Sequence, residues 1–443
     1  MKKALLLSFA AVAAFSASAD EYVAGQCNAL QPGYSLTEEW GDASMVGTNW
    51  MDARTGIGVG DKFYIMHHAD GNVMVYGKKG FVKNINVGPK CWVSCTVDEA
   101  GNVIARTDLL NGGTGWPGTG TAGAYVPSQG SFSIIDSKTD AVVKELVPMT
   151  DGAVCRFDAL GLVKGNILEG FTGLYTPYCA ASTVGCNEFL YDKGEFLAGS
   201  LFLTPINEAF KDTEAANPQT LGVAMQYGEG GDKLAVYNNN YLNVTSSENG
   251  LGNGIAAYAF VQDEDGAEMW QHTGKFFITP QHASNNGFAV FTVAGKDYIV
   301  YTSGQSGQTI CADAVAISEV KFTDTPVSNN ETDKSVLVAR KYPALGENGA
   351  ALYFAKANFT SFNVVPVENE PNSVYIYVFT AANPMFKLKF TVPAGGAGVN
   401  DIEVAEDVNA PVEYFNLQGV RVANPENGLY IKRQGSKTEK VVL

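Results

Sequence analysis

The sequence predicts a nearly all-β chain: a single β-propeller of about six blades, followed by a small C-terminal β-sandwich-like domain. Three observations predict it. Short strands follow one another between Asp, Asn and Gly turns, two motifs recur at about sixty residues, and a glycine-rich stretch after Val392 separates a last segment with its own strand pattern.

The strands read most plainly between Asp61 and Thr107. Lys62–Met66, Val73–Tyr76, Phe81–Val87, Cys91–Val97 and Val103–Thr107 are apolar-rich runs. They are separated by turn sequences such as Ala69-Asp70-Gly71-Asn72 and Glu99-Ala100-Gly101-Asn102. Cys91, Val93, Cys95 and Val97 alternate with Trp92, Ser94 and Thr96, the period of a strand. Long amphipathic helices are hard to find, and Asn207 to Ala216 is the best short candidate.

Two elements repeat. Ser94 to Val103 aligns without gaps to Val154 to Val163, with Cys95 on Cys155 at an offset of 60. A glycine followed by an aromatic-aliphatic strand begins at Gly60, Gly231 and Gly295, and in weaker form at Gly123, Gly173 and Gly349. Repetition of short-strand units at this period is the signature of propeller blades, each burying its neighbour's face. Tandem sandwiches fit less well, because each needs about 100 residues. Residues 20–393 are therefore expected to form one ring, with Cys95 and Cys155 at equivalent positions in neighbouring blades.

One hairpin carries a resemblance. Ser133-Ile134-Ile135-Asp136-Ser137-Lys138-Thr139-Asp140-Ala141-Val142-Val143 resembles the hydrophobic-Asp-x-x-Thr-x-x-Val-Val strand pair of bacterial YVTN-type propeller repeats.

Both ends read as addresses. Met1-Lys2-Lys3, an apolar run from Ala4 to Phe15, and Ala17-x-Ala19 make a removable export signal spanning residues 1–19, too short to cross a bilayer as an anchor. Asp20, not a cysteine, would begin the exported chain, which argues against a lipid anchor. No later run is apolar enough to span a membrane. Residues 394–443 read as a linker and a terminal module. Val412 to Val422 with Asn416-Leu417-Gln418-Gly419, then Asn427-Gly428-Leu429-Tyr430-Ile431 and Lys440 to Leu443, resemble the type A C-terminal sorting domain of the Bacteroidetes Por (type IX) secretion system. That resemblance implies engagement of the type IX secretion machinery and attachment to, or release from, the cell surface. A plain terminal β-sandwich is the alternative.

Composition limits the partners. Formal charge is −16, or −18 once Lys2 and Lys3 are removed, so nucleic acid and anionic membrane surfaces are poor partners. The seven cysteines include one disulfide candidate, Cys179 with Cys186 across a loop read over Ala180–Gly185; Cys91 and Cys95, about 13 Å apart on one strand, are out of reach of each other.

No cofactor, metal site or catalytic residue is predicted. Gly118 to Gly123 fits G-x-G-x-x-G but has Trp116-Pro117 before it and no helix after it, so it reads as a glycine loop. His67 and His68 point to opposite sides of a strand, a poor start for a shared metal. Asp263-Glu264-Asp265-Gly266 lacks the spaced ligands of a calcium loop and reads as a hairpin turn. Trp116 and Tyr125, in the glycine-rich stretch Gly112–Gly130, are the candidate ligand-binding pair, aromatic faces suited to a sugar ring; the alternative is that Trp116 pins its loop. The function expected is a secreted or cell-surface, non-catalytic propeller binding a glycan or protein ligand. The alternatives are a polysaccharide-acting propeller hydrolase or lyase, and a structural surface protein.

Overall fold

The structure, a computed structural model, describes residues 27–28, 30–42, 53–67, 72–87, 91–110, 127–149, 156–157, 163–180, 183–203, 221–238, 253–262, 266–278, 288–303, 314–320, 322, 337–341, 360–380, 385–393, 412–415, 421–422, 425, 429–434 and 437–442. The chain forms two compact units, Met1–Val392 and Pro393–Leu443. Among the described residues the regular structure is strand, apart from one short 3-10 turn at Glu229–Gly231.

Two strands precede the first blade, β1 (Cys27–Asn28) and β2 (Ser35–Asp42). The first blade is β3 (Ala53–Val59), β4 (Lys62–His67), β5 (Asn72–Gly77) and β6 (Gly80–Asn86), paired in that order. The second is β7 (Cys91–Val97), β8 (Asn102–Leu110), β9 (Pro127–Asp136) and β10 (Ala141–Met149). A two-residue strand, β11 (Arg156–Phe157), leads into the third blade: β12 (Phe171–Ala180), β13 (Thr183–Asp192) and β14 (Glu195–Leu203). The fourth is β15 (Leu221–Tyr227), β16 (Lys233–Asn238), β17 (Asn253–Gln262) and β18 (Glu268–Ile278). The fifth is β19 (Phe288–Val293), β20 (Lys296–Ser303), β21 (Ala314–Glu319) and β22 (Leu337–Lys341), with β1 added at its outer edge. The sixth is β23 (Thr360–Val367), β24 (Glu370–Thr380) and β25 (Met385–Thr391), completed by β2 from the other end of the chain.

The inner segments close a ring: β3 neighbours β7, β7 neighbours β11, then β15, β19 and β23 follow, and β23 neighbours β3 again. The fold is a six-bladed β-propeller, as the sixty-residue period predicts. Its core lies between blades. One apolar cluster joins blades four, five and six, and others join one to two, two to three, and six to one. This is why strands such as Cys95-Thr96-Val97 are buried on both faces despite their alternation.

Every blade's outer strand carries a β-bulge, at Val82, Val143, Leu197, Thr273, Val338 and Glu39 in turn. Outer strands expose unpaired backbone groups, and bulges twist such edges away from edge-to-edge pairing. The Asp-x-x-Thr hairpin has a local cause. Asp136 accepts from Lys138 N at 2.8 Å and from Thr139 Oγ1 at 3.0 Å, while Asp140 takes a left-handed φ of 54°.

Two repeat assignments are corrected. Val163 bridges in parallel to Asp98, and its N–H donates to Val97 O. It therefore ends the inner segment of blade three instead of matching Val103 in a second strand, so the gap-free alignment of 94–103 with 154–163 fails; Cys155 itself lies outside the described residues. The reason is that blade three turns through Lys164 to Gly170, where Asn166 and Gly170 replace the Asp-opened turn of blade two. Gly173 lies inside β12, not at a turn, whereas Gly60, Gly231 and Gly295 do sit in left-handed turn positions leading into β4, β16 and β20. Gly123 and Gly349 lie outside the described residues.

In the terminal unit, β26 (Val412–Phe415), β27 (Arg421–Val422), β28 (Leu429–Gln434) and β29 (Lys437–Val442) form one antiparallel sheet ordered β27-β26-β28-β29. The strands coincide with the segments that carry the sorting-domain resemblance.

Candidate functional site

Inner strands run from one end of the ring to the other in a common sense, so the turns after Val59, Val97, Tyr227, Val293 and Val367 gather at one end of the axis. A pocket of about 50 Å³ opens among the inner strands of blades four, five and six. Tyr227, Val290 and Val364 form its apolar wall, and Lys164, Gln226 and Thr292 supply its polar groups. The volume suits a few waters, far below the several hundred Å³ of a typical ligand pocket.

The polar groups around it are largely committed to one another. Lys233 Nζ contacts Asp297 Oδ2 at 2.8 Å, and Thr292 Oγ1 donates to Asp297 Oδ1 at 2.6 Å. Lys164 pairs with Glu99 at 3.1 Å. Gln226 donates Nε2 to Gly231 O at 3.2 Å, and its Oε1 has no protein partner, an acceptor a pocket water can satisfy. Burial, then the charges of Asp297 and Asp232, raise the Tyr227 phenol well above the ordinary tyrosine range, so it stays protonated at neutral pH.

Beside this pocket, Asp98 ties blade two to blade three. It accepts from Asn102 N and Nδ2, both at 2.8 Å, and from Ile167 N at 3.0 Å. Burial raises its carboxyl above the usual aspartate value, against the lowering effect of these donors. All its donors belong to neighbouring turns, so Asp98 is a tie between blades and not a group offered to a substrate.

Every seam between blades has such a polar tie. Asp140 joins blade two to blade one, accepting from Lys62 Nζ at 2.8 Å and Tyr64 Oη at 2.6 Å. Lys144 and Glu195 join two to three at 2.6 Å, and Trp270 Nε1 reaches Glu188 across three and four at 3.0 Å. Lys233–Asp297 joins four to five, and the hydroxyls of Tyr34, just before β2 of the sixth blade, and Tyr298, in β20 of the fifth, meet at 3.2 Å. Lys387 Nζ and Tyr377 Oη both donate to Gly60 O, closing six to one. Sequence reading missed these ties. Their visible signal was the repeated Gly-Asp-Lys turns at 60–62 and 231–233 and the Gly-Lys-Asp turn at 295–297, which supply Lys62, Lys233 and Asp297.

Trp116 and Tyr125 lie outside the described residues, in the connection from β8 to β9; the ends of those strands, Leu110 and Pro127, lie at the end of the ring away from the pocket. Cys179 stands opposite Val184 and Cys186 opposite Pro177 on paired strands, so most of the expected 180–185 loop is hairpin strand. Cys95 is a buried free thiol whose pKa burial pushes up, which makes it unreactive. His67 ends β4, while His68, Gly118–Gly123 and Asp263–Asp265 lie outside the described residues; β17 and β18 pair through Gln262 and Glu268 around the last of these. Among the described residues no three His, Cys, Asp or Glu side chains gather as a metal site.

Strand pairing and inner ring together define the class: a six-bladed β-propeller. No family model and no curated protein matches the chain. Among solved structures it is similar to virginiamycin B lyase from Staphylococcus aureus, at 12% identity and TM-score 0.36 over 80% of this chain and 99% of that one. It is likewise similar to a gluconolactonase from Xanthomonas campestris, at 10% identity and TM-score 0.38 over 82% and 92% of the two chains. Hydrazine synthase of Kuenenia stuttgartiensis stands at 15% identity and TM-score 0.34 over 74% and 80%. Likenesses of this size carry no argument about activity.

Proposed function

We propose that this chain is an exported, surface-displayed or released propeller that binds a glycan or protein ligand without transforming it. The observation that carries the reading is the pocket at the described axial end: it has room for a few waters, and the charged groups around it are paired with one another. The residues proposed to bind are Trp116 and Tyr125, which the sequence sets among glycines between β8 and β9. Glycine leaves few side chains for an indole to pack on, which frees its face for a partner. Ordering such a segment costs entropy, so affinity from one site is weak. Trp116→Ala is expected to reduce binding on a polysaccharide array without changing the melting temperature. A lower melting temperature with unchanged binding would make Trp116 a packing residue.

Export rests on the N-terminal signal pattern, and the address on the sorting-domain resemblance of the terminal unit. Deleting Val399 to Leu443 is expected to leave the propeller folded and trap it in the periplasm of the native host, as fractionation would detect. Normal surface display of the truncated chain would remove the sorting assignment.

A further inference from the structure

The rim of the first three blades sets exposed lysines and exposed aliphatic side chains among carboxylates, several of them already paired with other lysines. The hairpin joining third and fourth strands ends in Lys78-Lys79-Gly80 in blade one, Ser137-Lys138-Thr139-Asp140 in blade two and Lys193-Gly194 in blade three. Just past each turn the outer strand bulges, and the bulged residue is an exposed aliphatic: Val82 at 54%, Val143 at 48% and Leu197 at 56% exposure. Phe81, Val142 and Phe196 beside them are exposed too. The position repeats, so the exposure is systematic.

The three tips form one continuous arc. Lys83 reaches Asp140 O at 3.3 Å, linking the first tip to the second. Lys144 reaches Lys193 O at 3.2 Å and Glu195 at 2.6 Å, linking the second to the third. These lysines are spent on the links. Lys79, Lys138 and Lys193 are exposed at the tips, and their ammonium groups make no ion pair with the described residues. The lysines stop at blade four, where the sequence between β17 and β18 reads Asp263-Glu264-Asp265, and the outer strand of blade five is covered by β1.

We propose that this arc is a docking surface for an anionic lipid bilayer, with Val82, Val143 and Leu197 entering the headgroup boundary and Lys79, Lys138 and Lys193 meeting the phosphates. Exposed aliphatic and phenylalanine side chains beside lysines outside ion pairs complement a bilayer interface in both polarity and charge. At physiological salt, screening over about 8 Å limits the reach of the distant part of the −16 charge, so the exposed Lys79, Lys138 and Lys193 act against the carboxylates of their own tips.

The test is co-sedimentation of the full chain with vesicles of phosphatidylcholine alone, and of phosphatidylcholine with an equal part of phosphatidylglycerol. Residues 1–19 are kept in every variant, so that their apolar run cancels in the comparison. The wild-type chain should partition onto the anionic vesicles and leave them as salt is raised. Lys79→Glu, Lys138→Glu and Lys193→Glu together should weaken that partition about a hundred-fold. Val82→Ser, Val143→Ser and Leu197→Ser together should weaken it at least ten-fold with the melting temperature held. Partition of both triple variants equal to wild type would overturn the proposal. So would a fall in melting temperature of the serine variant with partition unchanged, which would make these residues hairpin packing, or retention on a polyanionic glycan without retention on vesicles.

Discussion

The seam that closes the ring and the seams between blades one, two and three are built differently. At the closing seam, Gly56 and Gly58 of the first inner strand lie against Phe379 and Tyr377 of the sixth blade. A Cβ on Gly56 would stand 2.8 Å from Phe379 Cγ, and one on Gly58 would overlap the Tyr377 ring. Asn363 Nδ2 donates to Gly58 O at 2.8 Å, and Lys387 lies 3.8 Å from the Tyr375 ring centroid while donating to Gly60 O. That seam works by close approach of side chains to glycine backbone. Between blades one, two and three the ties are carboxylates, Asp140 and Asp98, each collecting several donors. Blades adjacent in sequence are held together by the chain itself and by the apolar clusters between them, and their carboxylates register the turns. The sixth and first blades are brought together by fit and by the loan of β2.

The comparison breaks most sharply at Gly58. Gly58→Ala should lower stability by about 3 kcal/mol or more, measured by urea unfolding, because the new methyl has no space. Gly58→Ala and Tyr377→Ala together should lose less than the sum of the two single variants; additive losses would mean that the glycine serves something other than the ring contact.

Asp98→Asn should cost less, about 2 kcal/mol, since an amide N–H₂ must face one of the N–H donors that the carboxylate now accepts. Hydrogen exchange at Ile167 and Asn102 should accelerate in this variant, and unchanged protection there would contradict the tie.

Asp140→Asn should cost about 1–2 kcal/mol at neutral pH, because its partner Lys62 is partly exposed. Burial alone would raise the Asp140 carboxyl, but hydrogen bonds from Lys62 and Tyr64 and the nearby lysine charges outweigh it, and the value falls below the ordinary aspartate range. Its stabilisation is therefore fully present above the unfolded value near 3.9 and is lost as pH falls through the lower folded value. The difference between wild type and Asp140→Asn should shrink below about pH 4. Asp98 works in the opposite sense: its raised value makes its own ionisation cost stability as pH rises through it. The smallest effect is expected at Glu195, which is 72% exposed beside Lys144; Glu195→Gln should stay within about 0.5 kcal/mol.

Strands and turns were largely legible because their causes are local. Lys62–Met66, Val73–Tyr76 and Cys91–Val97 alternate, and Asp136 with Thr139 builds its hairpin within four residues. The ties were not legible, because Asp98 and Ile167, or Lys387 and Gly60, are far apart in sequence and share no spacing rule. The repeat misled at Val163 and Gly173 because a matching residue type says nothing about which edge its strand will find.

By itself the sequence determined that the chain is β, that its unit is about sixty residues and that about six units precede a separate terminal module, since alternation, turn chemistry and period are properties of neighbouring residues. Tertiary structure alone decided that β2 completes the sixth blade, that β1 covers the fifth, and that β11 pairs in parallel with β15 of blade four instead of with its own blade. A strand's edge groups are the same wherever it docks, so its partner is chosen by which faces are left to bury once the ring closes.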